Sequence, residues 1–549
     1  MSKQVRAATV RMGRRFTAVS RRSRRMRLPV AVALAVVTGA AIAAAAEMVL
    51  IAVFHPARAG GNPIDVTKLA FTVVGGVGGV VALVIAYRRQ RDLEQNRFVE
   101  RFGAAAAQLG ASDVAVRIAG VYAMAGVADE SDGLHRQQCI DVLCGYLRLP
   151  YEPELGRSHQ SKLVVKHHRA TADGTHADDQ ERHLEYRQND SEVRKTIVRV
   201  IAAHLRSNAE NRWSANNFDF RTAYLEDIDL TATAFSGEAQ FDGATFSGTT
   251  LFDKAMFSGA AQFDGATFSG DAQFVDARFS GDARFDSVVF SGDAWFGGAA
   301  FSGDAQFDGA TFSGTTLFDK AMFSGEAQFG RTKFSLTAQF DGATFSSDAQ
   351  FDGAAFSRTA WFTGAAFSGA ARFGRTKFSE DARFDDARFS DYAVFDNATF
   401  SGDAWFDDAR FSGDAAFDDA RFSDDARFSR TTFSRNTWFR CATFSGTGRF
   451  DGATFSGDAR FTDATFASVA QFHNAAFSGD AWFHHVTFSR STSFENVDFA
   501  GNHVSFADPK RWGPPAPIFD WSVDLSRKPP RVEPDDWPPV VVTTSSPTE

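Results

Sequence analysis

Aromatic and cationic side chains recur at a fixed spacing in the second half of this 549-residue chain. Trp295, Trp361 and Trp405 are separated by multiples of 22 residues, and Arg383 and Arg427 continue the same series. Tryptophan and arginine are the residues that most often anchor protein interfaces, so one hypothesis is a stripe that binds a protein partner. The other hypothesis is that Arg383 and Arg427 stack over Trp405 as cation–π contacts.

Residues suited to catalysis or metal binding show no such order. His473, His484 and His485 stand at repeat positions near the end of the array, where we expect surface or corner variants rather than members of a catalytic triad. The 3 cysteines form no disulfide framework and no paired zinc motif, and the sequence has neither a phosphate-binding loop nor a dinucleotide fingerprint. We therefore predict that the protein is not an enzyme and needs no metal or cofactor.

The spacing of the phenylalanines defines the repeat in which these residues lie. The chain contains 58 phenylalanines, and between Phe235 and Phe499 their steps alternate six and five residues. The stretch "FDGATFSGDAQF", residues 263–274, contains one step of each kind. A merely biased composition would drift out of phase, so the pattern indicates a true repeat.

A small residue usually stands two positions before each phenylalanine, as in Ala261 and Phe263 or Ala266 and Phe268. Residues two apart in an extended segment face the same way, so both are predicted to point inward and the residue between them outward. The intervening "DG" and "SGD" are turn sequences in which glycine can supply a positive φ. Two units of eleven then form one four-sided coil, and about 12 coils stacked at ~4.8 Å give a rod of roughly 58 Å.

Residues 22 apart are predicted to stack in one outward column. Trp438 and Trp482 fall in the opposite column. The column that holds the first three tryptophans reads Leu251, Gln273, Trp295, Leu317, Gln339, Trp361, Arg383, Trp405, Arg427 and Arg449.

The array resembles the pentapeptide-repeat family. Its first coil, "FRTAYLEDIDLTATAF" at residues 220–235, keeps the family spacing of five through Leu225 and Leu230, and later coils add one residue at alternate corners. The resemblance implies a right-handed quadrilateral β-helix. Together with the N-terminal segments described below, this predicts an all-β solenoid preceded by two transmembrane helices and a small α-helical module. The hairpin followed by "AQLGASDVAVRIAGVYAMAGVA" is similar to membrane-anchored actinobacterial members.

The charge of the array supports a second hypothesis. Residues 213–506 carry a net charge of roughly −18. Some members of the family that the array resembles imitate duplex DNA, so the alternative function is a DNA-mimic regulator of a type II topoisomerase or another nucleic-acid enzyme. Arginines interrupt the acidic surface, and we expect no direct binding of nucleic acid. The corner aspartates that carry the charge include Asp264, Asp271, Asp403, Asp408, Asp414 and Asp419.

Two apolar segments near the N terminus predict a membrane anchor. Residues 28–54 exceed, and residues 69–87 about match, the ~20 residues that a helix needs to cross a bilayer. The basic residues of 1–27 and the "RRQR" at 88–91 place both ends in the cytoplasm by the positive-inside rule. This predicts an integral protein of the inner (plasma) membrane. A cleaved secretory signal is the rival interpretation, but the apolar region is too long for one.

Three residues of these spans could have roles of their own. Glu47 either marks an ion or proton path or carries its carboxylate to the membrane interface. Gly75 and Gly79 form a small-xxx-small pair that allows close helix approach and a homodimer.

The remaining segments complete the predicted organisation. An amphipathic helix is expected to cap the repeats, and the proline-rich tail to fold first over the last coil through Phe519 and Trp521 and then to be mostly disordered. The predicted segments are a basic leader (1–27), two spans (28–54 and 69–87) with an external loop (55–68), a helical module (88–150), a flexible linker (151–190), a capping helix (191–212), the repeat array (213–506) and the tail (507–549).

Together these patterns predict a membrane-anchored, non-catalytic scaffold that presents an acidic rod to the cytosol. The expected partner is an unidentified protein. The candidate contact residues are Trp295, Trp361, Trp405, Arg383 and Arg427.

Overall fold

The computed structural model describes residues 63–157, 162–167, 180–185, 187–501 and 503–542, together with the isolated helical residues 37, 41, 44, 45 and 48. The chain forms two compact units, Met1–Arg101 and Phe102–Glu549. The predicted leader, Glu47 and almost all of the first predicted span lie outside the described residues.

A 47-residue helix, α1, begins at Pro63 and ends at Leu109. It contains the second predicted span, residues 69–87, and continues through the start of the predicted helical module. Within the described part of the chain, no helix combines the length and the apolarity needed to cross a membrane. The two-span anchor therefore stays a prediction.

Among the described residues, α1 is followed before the repeats by α2 (Val114–Asp129), α3 (Leu134–Leu147), α4 (Pro153–Gly156) and α5 (Asp190–Leu205). Arg117 of α2 is fully buried among them. Its guanidinium donates to the hydroxyl of Tyr146 on α3 at 3.0 Å and to the carboxylate of Asp190 on α5. The Tyr146 hydroxyl in turn donates to Asp190 at 2.6 Å, so one buried polar cluster joins three helices.

The helices α3 and α5 lie against the first coil of the repeat array. Gln137 of α3 donates to the carbonyl oxygen of Asn217 at 2.7 Å, and Arg194 of α5 donates to that of Tyr224 at 3.3 Å. Trp213, which is fully buried, stacks on His204 of α5 with ring centroids 4.0 Å apart. These contacts cover the end of the array, where a first coil would otherwise expose its core.

The predicted flexible linker, 151–190, requires correction. It contains α4 and an antiparallel pair of strands, β1 (Lys162–His167) and β2 (Gln180–Glu185), in register from Lys162 opposite Glu185 to His167 opposite Gln180. Valines within β1 favour an extended chain. The charged residues and histidines around them led to the prediction of a linker instead.

From Phe218 onward, very short parallel strands build a four-faced solenoid of about 14 coils, which confirms the predicted parallel β-helix. Its right-handed sense stays a prediction. Strands of one face recur about every 22 residues, as when Ala261 pairs with Ala283. The faces, in the order in which a coil visits them, extend from Phe218–Asp219 to Val532–Glu533 (face 1), Tyr224–Glu226 to Arg511–Trp512 (face 2), Thr250–Leu251 to Ile518–Phe519 (face 3) and Ala234–Phe235 to Asp498–Phe499 (face 4).

The interior consists of four phenylalanine ladders, as predicted. Phe263 lies between Phe241 and Phe285, with ring centroids 4.7 Å from each and nearly parallel planes. Burying each ring contributes on the order of 2–3 kcal/mol, which offsets the low intrinsic stability of two-residue strands. Leu225 and Leu230 occupy equivalent buried positions in the first coil.

Gly265 and Gly292 stand in the two kinds of corner, and glycine suits them for different reasons. In a five-residue corner, Gly265 has φ +63° and the N–H of Ala266 donates to the carbonyl of Phe263, yet Ser287 adopts φ +56° at the same place one coil later. In a six-residue corner, a Cβ on Gly292 would lie 2.6 Å from the carbonyl carbon of Gly270. A side chain at position 292 would therefore require the neighbouring coil to shift, because the two coils approach closely there.

The tail, residues 507–549, was predicted to be mostly disordered, and this also requires correction. Three strands, Arg511–Trp512, Ile518–Phe519 and Val532–Glu533, extend faces 2, 3 and 1. Phe519 stacks on Phe494 at 4.8 Å, and Trp521 stacks on Phe519 at 4.8 Å, so the tail covers the last coil through the two predicted residues. The aromatic side chains that stand between the prolines of the tail make this apolar contact with the last coil.

Candidate protein-binding face

The outward residues of face 3 form a single line that we call the tryptophan column. Its register is the predicted one, because Trp295 pairs with Gln273 before it and Leu317 after it, one coil apart in each direction. The column comprises Leu251, Gln273, Trp295, Leu317, Gln339, Trp361, Arg383, Trp405, Arg427 and Arg449.

Four of the five candidate contact residues form one stack. The guanidinium carbons of Arg383 and Arg427 lie 4.2 and 4.6 Å from the ring centroid of Trp405, and Arg383 is also 5.8 Å from that of Trp361. The predicted cation–π stacking is therefore present. Each such contact stabilises a half-exposed pair by about 0.5–1 kcal/mol. The column binds guanidinium groups of its own chain at this point.

Trp295, the fifth candidate, stands apart from this stack and borders a groove of about 330 Å³. Its column neighbours, Gln273 and Leu317, provide no cation. The groove exists because Gly297 and Gly298 have no side chains to fill the corner. Its lining is Val275, Asp276, Trp295, Gly297, Gly298, Leu317, Asp319 and Lys320.

Carboxylates beside the column are partly withdrawn from water. Burial, reinforced by the nearby charge of Asp407, raises the pKa of Asp385 to about 6, while Arg383 acts in the opposite direction. Burial also raises the pKa of Asp341, and Arg383 again opposes the shift. The guanidinium of Arg383 thus interacts with two carboxylates as well as with two rings.

The corner aspartates have a structural role that the sequence did not indicate. Asp264 and Asp271 accept hydrogen bonds from the backbone N–H groups of Asp286 and Asp293, one coil further on, at 3.2 and 3.0 Å. Asp403 and Asp414 accept equivalent bonds, and Asp408 is paired with Arg430 at 2.6 Å. These carboxylates join successive coils rather than standing alone as solvated acids.

A second, smaller aromatic site lies on face 1, opposite the tryptophan column. Trp438 and Trp482 are separated there by Arg460, whose guanidinium carbon is 4.8 Å from the ring centroid of Trp482. This pair provides matched tryptophans on another face of the same solenoid.

The sequence prediction missed a contact between a serine and a histidine. Ser493 Oγ lies 3.2 Å from His473 Nε2, and His473 Nδ1 lies 3.4 Å from Asp451 Oδ1. Glu495 also contacts Nε2 at 3.0 Å and accepts a hydrogen bond from Ser493, so its carboxylate competes for the proton that a catalytic histidine would have to receive. The 20-residue separation of Ser493 and His473, close to one coil, was the available signal.

Where the structure can be described, no group of three or more His, Cys, Asp or Glu side chains is arranged to hold a metal ion. Cys139 and Cys144 are buried, and burial raises the pKa of the Cys139 thiol to about 11, which keeps it protonated. Cys441 is exposed at a corner with φ +57°. The expected lack of metal, cofactor and catalysis stays a prediction.

A family model described as pentapeptide repeats (9 copies) matches the array between residues 230 and 476. No curated protein and no solved structure matches the chain. The overlapping matched segments are residues 230–277, 252–300, 263–311, 329–377, 351–398, 362–410, 373–421, 395–440, 417–465 and 428–476.

Proposed function

Because the repeat array belongs to the pentapeptide-repeat family, we propose that this protein is a non-catalytic interaction scaffold whose tryptophan column binds a protein partner. The observation that carries the proposal is the placement of three half-buried tryptophans in one outward line on a solenoid whose interior is uniform. Phenylalanine ladders account for stability, so specificity has to come from the outward residues. Aromatic and arginine side chains are the usual anchors of such interfaces.

We place this scaffold at the inner (plasma) membrane, with both termini in the cytoplasm. The support is the sequence pattern of two apolar segments, 28–54 and 69–87, flanked by basic residues. Such an anchor would hold the solenoid near the membrane surface and restrict its partners to proteins that reach it.

The alternative, a DNA-mimic regulator, depends on a continuous acidic surface. Arg284, Arg372 and Arg460 interrupt face 1, and the corner carboxylates of Asp264 and Asp408 are paired with Arg284 and Arg430, each at 2.6 Å. These features favour a protein interface built on face 3.

Crosslinking in intact cells, followed by capture of the full-length protein, tests the scaffold function. The comparison is a variant that lacks residues 235–499 and keeps the N-terminal segments and the helical module. We expect specific partners to be crosslinked to the full-length protein and lost from the shortened variant. Recovery of the same partners from both would overturn the proposal, because binding would then lie outside the solenoid.

A further inference from the structure

The tryptophans of the column differ in what lies over their rings. Trp405 has an arginine on each side along the column, and Trp361 shares one of them. Trp295 lies between Gln273 and Leu317, and within the described residues no cation lies over its ring. The aromatic surface that binds guanidinium groups elsewhere in the column is therefore unused at Trp295.

Two carboxylates converge on the corner beside this ring. A Cβ on Gly298 would lie 2.7 Å from Asp276 Oδ1, on the preceding coil, and a Cβ on Gly297 would lie 3.1 Å from Asp319 Oδ1, on the following coil. Over the part of the chain that can be described, neither carboxylate takes part in an ion pair or a side-chain hydrogen bond. The groove is thus lined by an aromatic ring, two glycines and these two carboxylates, and also by Lys320.

We propose that this groove binds an arginine side chain of a partner protein, with the guanidinium stacked on Trp295 and its N–H groups directed at Asp276 and Asp319. The proposal rests on the scaffold function proposed above. Its precedent is in the same column, where Arg383 lies over the ring of Trp405 and its charge acts on the nearby carboxylates of Asp341 and Asp385.

The chemistry favours arginine over other side chains. A guanidinium is planar, stacks on an aromatic face and presents donors in a fork that fits carboxylates, whereas a lysine ammonium is a strongly hydrated point charge. The net charge of the surrounding array, roughly −18, attracts a cationic partner segment.

A fluorescence anisotropy titration tests the groove on the full-length protein at physiological ionic strength. The probe is a labelled glycine–serine peptide with three arginines, compared with the same peptide in which citrulline replaces arginine. The decisive variant is Leu317→Arg, because position 317 stands one coil after Trp295 as Arg427 stands one coil after Trp405. The new arginine would stack on the ring of Trp295 and so block it for an arginine of the peptide.

Two variants separate this effect from general electrostatics and from misfolding. Gln328→Arg makes the same charge change on face 1, in a column that already contains Arg284 and Arg372. Trp295→Gln removes the ring and introduces the residue found at Gln273 in the same column. We expect Leu317→Arg and Trp295→Gln to weaken arginine-peptide binding about fivefold or more, and Gln328→Arg to leave it within about twofold.

Equal weakening by Leu317→Arg and Gln328→Arg, or equal binding of the citrulline peptide, would overturn the proposal. Its failure can be distinguished from failure of the scaffold function. If deletion of residues 235–499 abolishes partner capture while Leu317→Arg leaves peptide binding unchanged, the scaffold stands and the arginine site is rejected.

Discussion

The guanidinium carbon of Arg383 lies 4.2 Å from the ring centroid of Trp405, its neighbour one coil further along face 3. The contact shows that this surface binds arginine by stacking and charge together. It also divides the tryptophan column into a segment filled by its own arginines and a segment, at Trp295, with an open groove. The function proposed for the column depends on that difference.

The Arg383–Trp405 contact should be measurable as a coupling energy. Arg383→Gln and Trp405→Gln introduce a residue that the column already contains at Gln339, so the fold should be retained. In a double-mutant cycle, we expect a coupling free energy of about 0.5–1 kcal/mol in local opening, measured by amide hydrogen exchange in the surrounding coils. Additive effects of the two substitutions would contradict a direct interaction.

A phenylalanine in the middle of a ladder should tolerate leucine far better than alanine. Phe351 is fully buried and stacks between Phe329 and Phe373 at 4.9 and 4.8 Å. We expect Phe351→Ala to destabilise the neighbouring coils by about 3–5 kcal/mol, because a cavity remains at a site that cannot collapse. Phe351→Leu should cost much less, since Leu225 and Leu230 fill buried positions of two other ladders in the first coil. Hydrogen exchange measures both, and equal losses would contradict this packing.

The raised pKa of Asp385, about 6 in the folded protein against an ordinary value of 3.8, predicts a pH-dependent effect of Asp385→Asn. Between these two pH values the folded state binds the proton and the unfolded state does not, so the contribution of Asp385 to stability falls as pH rises. Asp385→Asn should therefore raise the apparent midpoint of thermal unfolding at pH 7.5, and the gain should shrink as pH falls through 6 towards 4. A gain that does not change with pH would contradict this assignment.

Arg117 should be essential to the helical module because its removal leaves the buried Asp190 carboxylate with only the more distant guanidinium of Arg194, at 3.8 Å. We expect Arg117→Met to destabilise the module by about 3 kcal/mol, measured by chemical denaturation followed through helical circular dichroism. Combining it with Asp190→Asn should recover part of the loss, since the buried carboxylate that has lost its nearer partner is then neutral. The same loss in the single and the double variant would mean that only packing is affected.

The period of the phenylalanines was sufficient to predict the solenoid, its four ladders and the members of the tryptophan column. Those features follow from which residues repeat, and stacking makes positions 22 apart neighbours. The groove at Trp295 could not be predicted in this way. It depends on the positions of the Asp276 and Asp319 side chains, which approach two glycines from the preceding and the following coil.

The cluster around Arg117 was missed because its partners, Tyr146 and Asp190, lie far apart in the sequence. A lone arginine in an apolar helix was the available signal.

The strand pair at Lys162–His167 and the ordered part of the tail were missed for a related reason. Charged residues and prolines indicate loops on average. Here, strand pairing in the register of Lys162 with Glu185 and the stacking of Phe519 on Phe494 produce ordered structure despite this composition. Both contacts join residues that are distant in the sequence, so local composition does not predict them.

Partner capture by a triple variant, Trp295→Ser, Trp361→Ser and Trp405→Ser, tests the central claim most directly. Serine already occupies the continuation of this line on face 3 at Ser493, two coils beyond Arg449, so the solenoid should remain folded. The matched control is Trp438→Ser with Trp482→Ser, which removes tryptophans from the opposite face. After crosslinking in intact cells, we predict that the triple variant loses the partners that the control retains. Retention of the same partners by the triple variant would contradict binding through the tryptophan column.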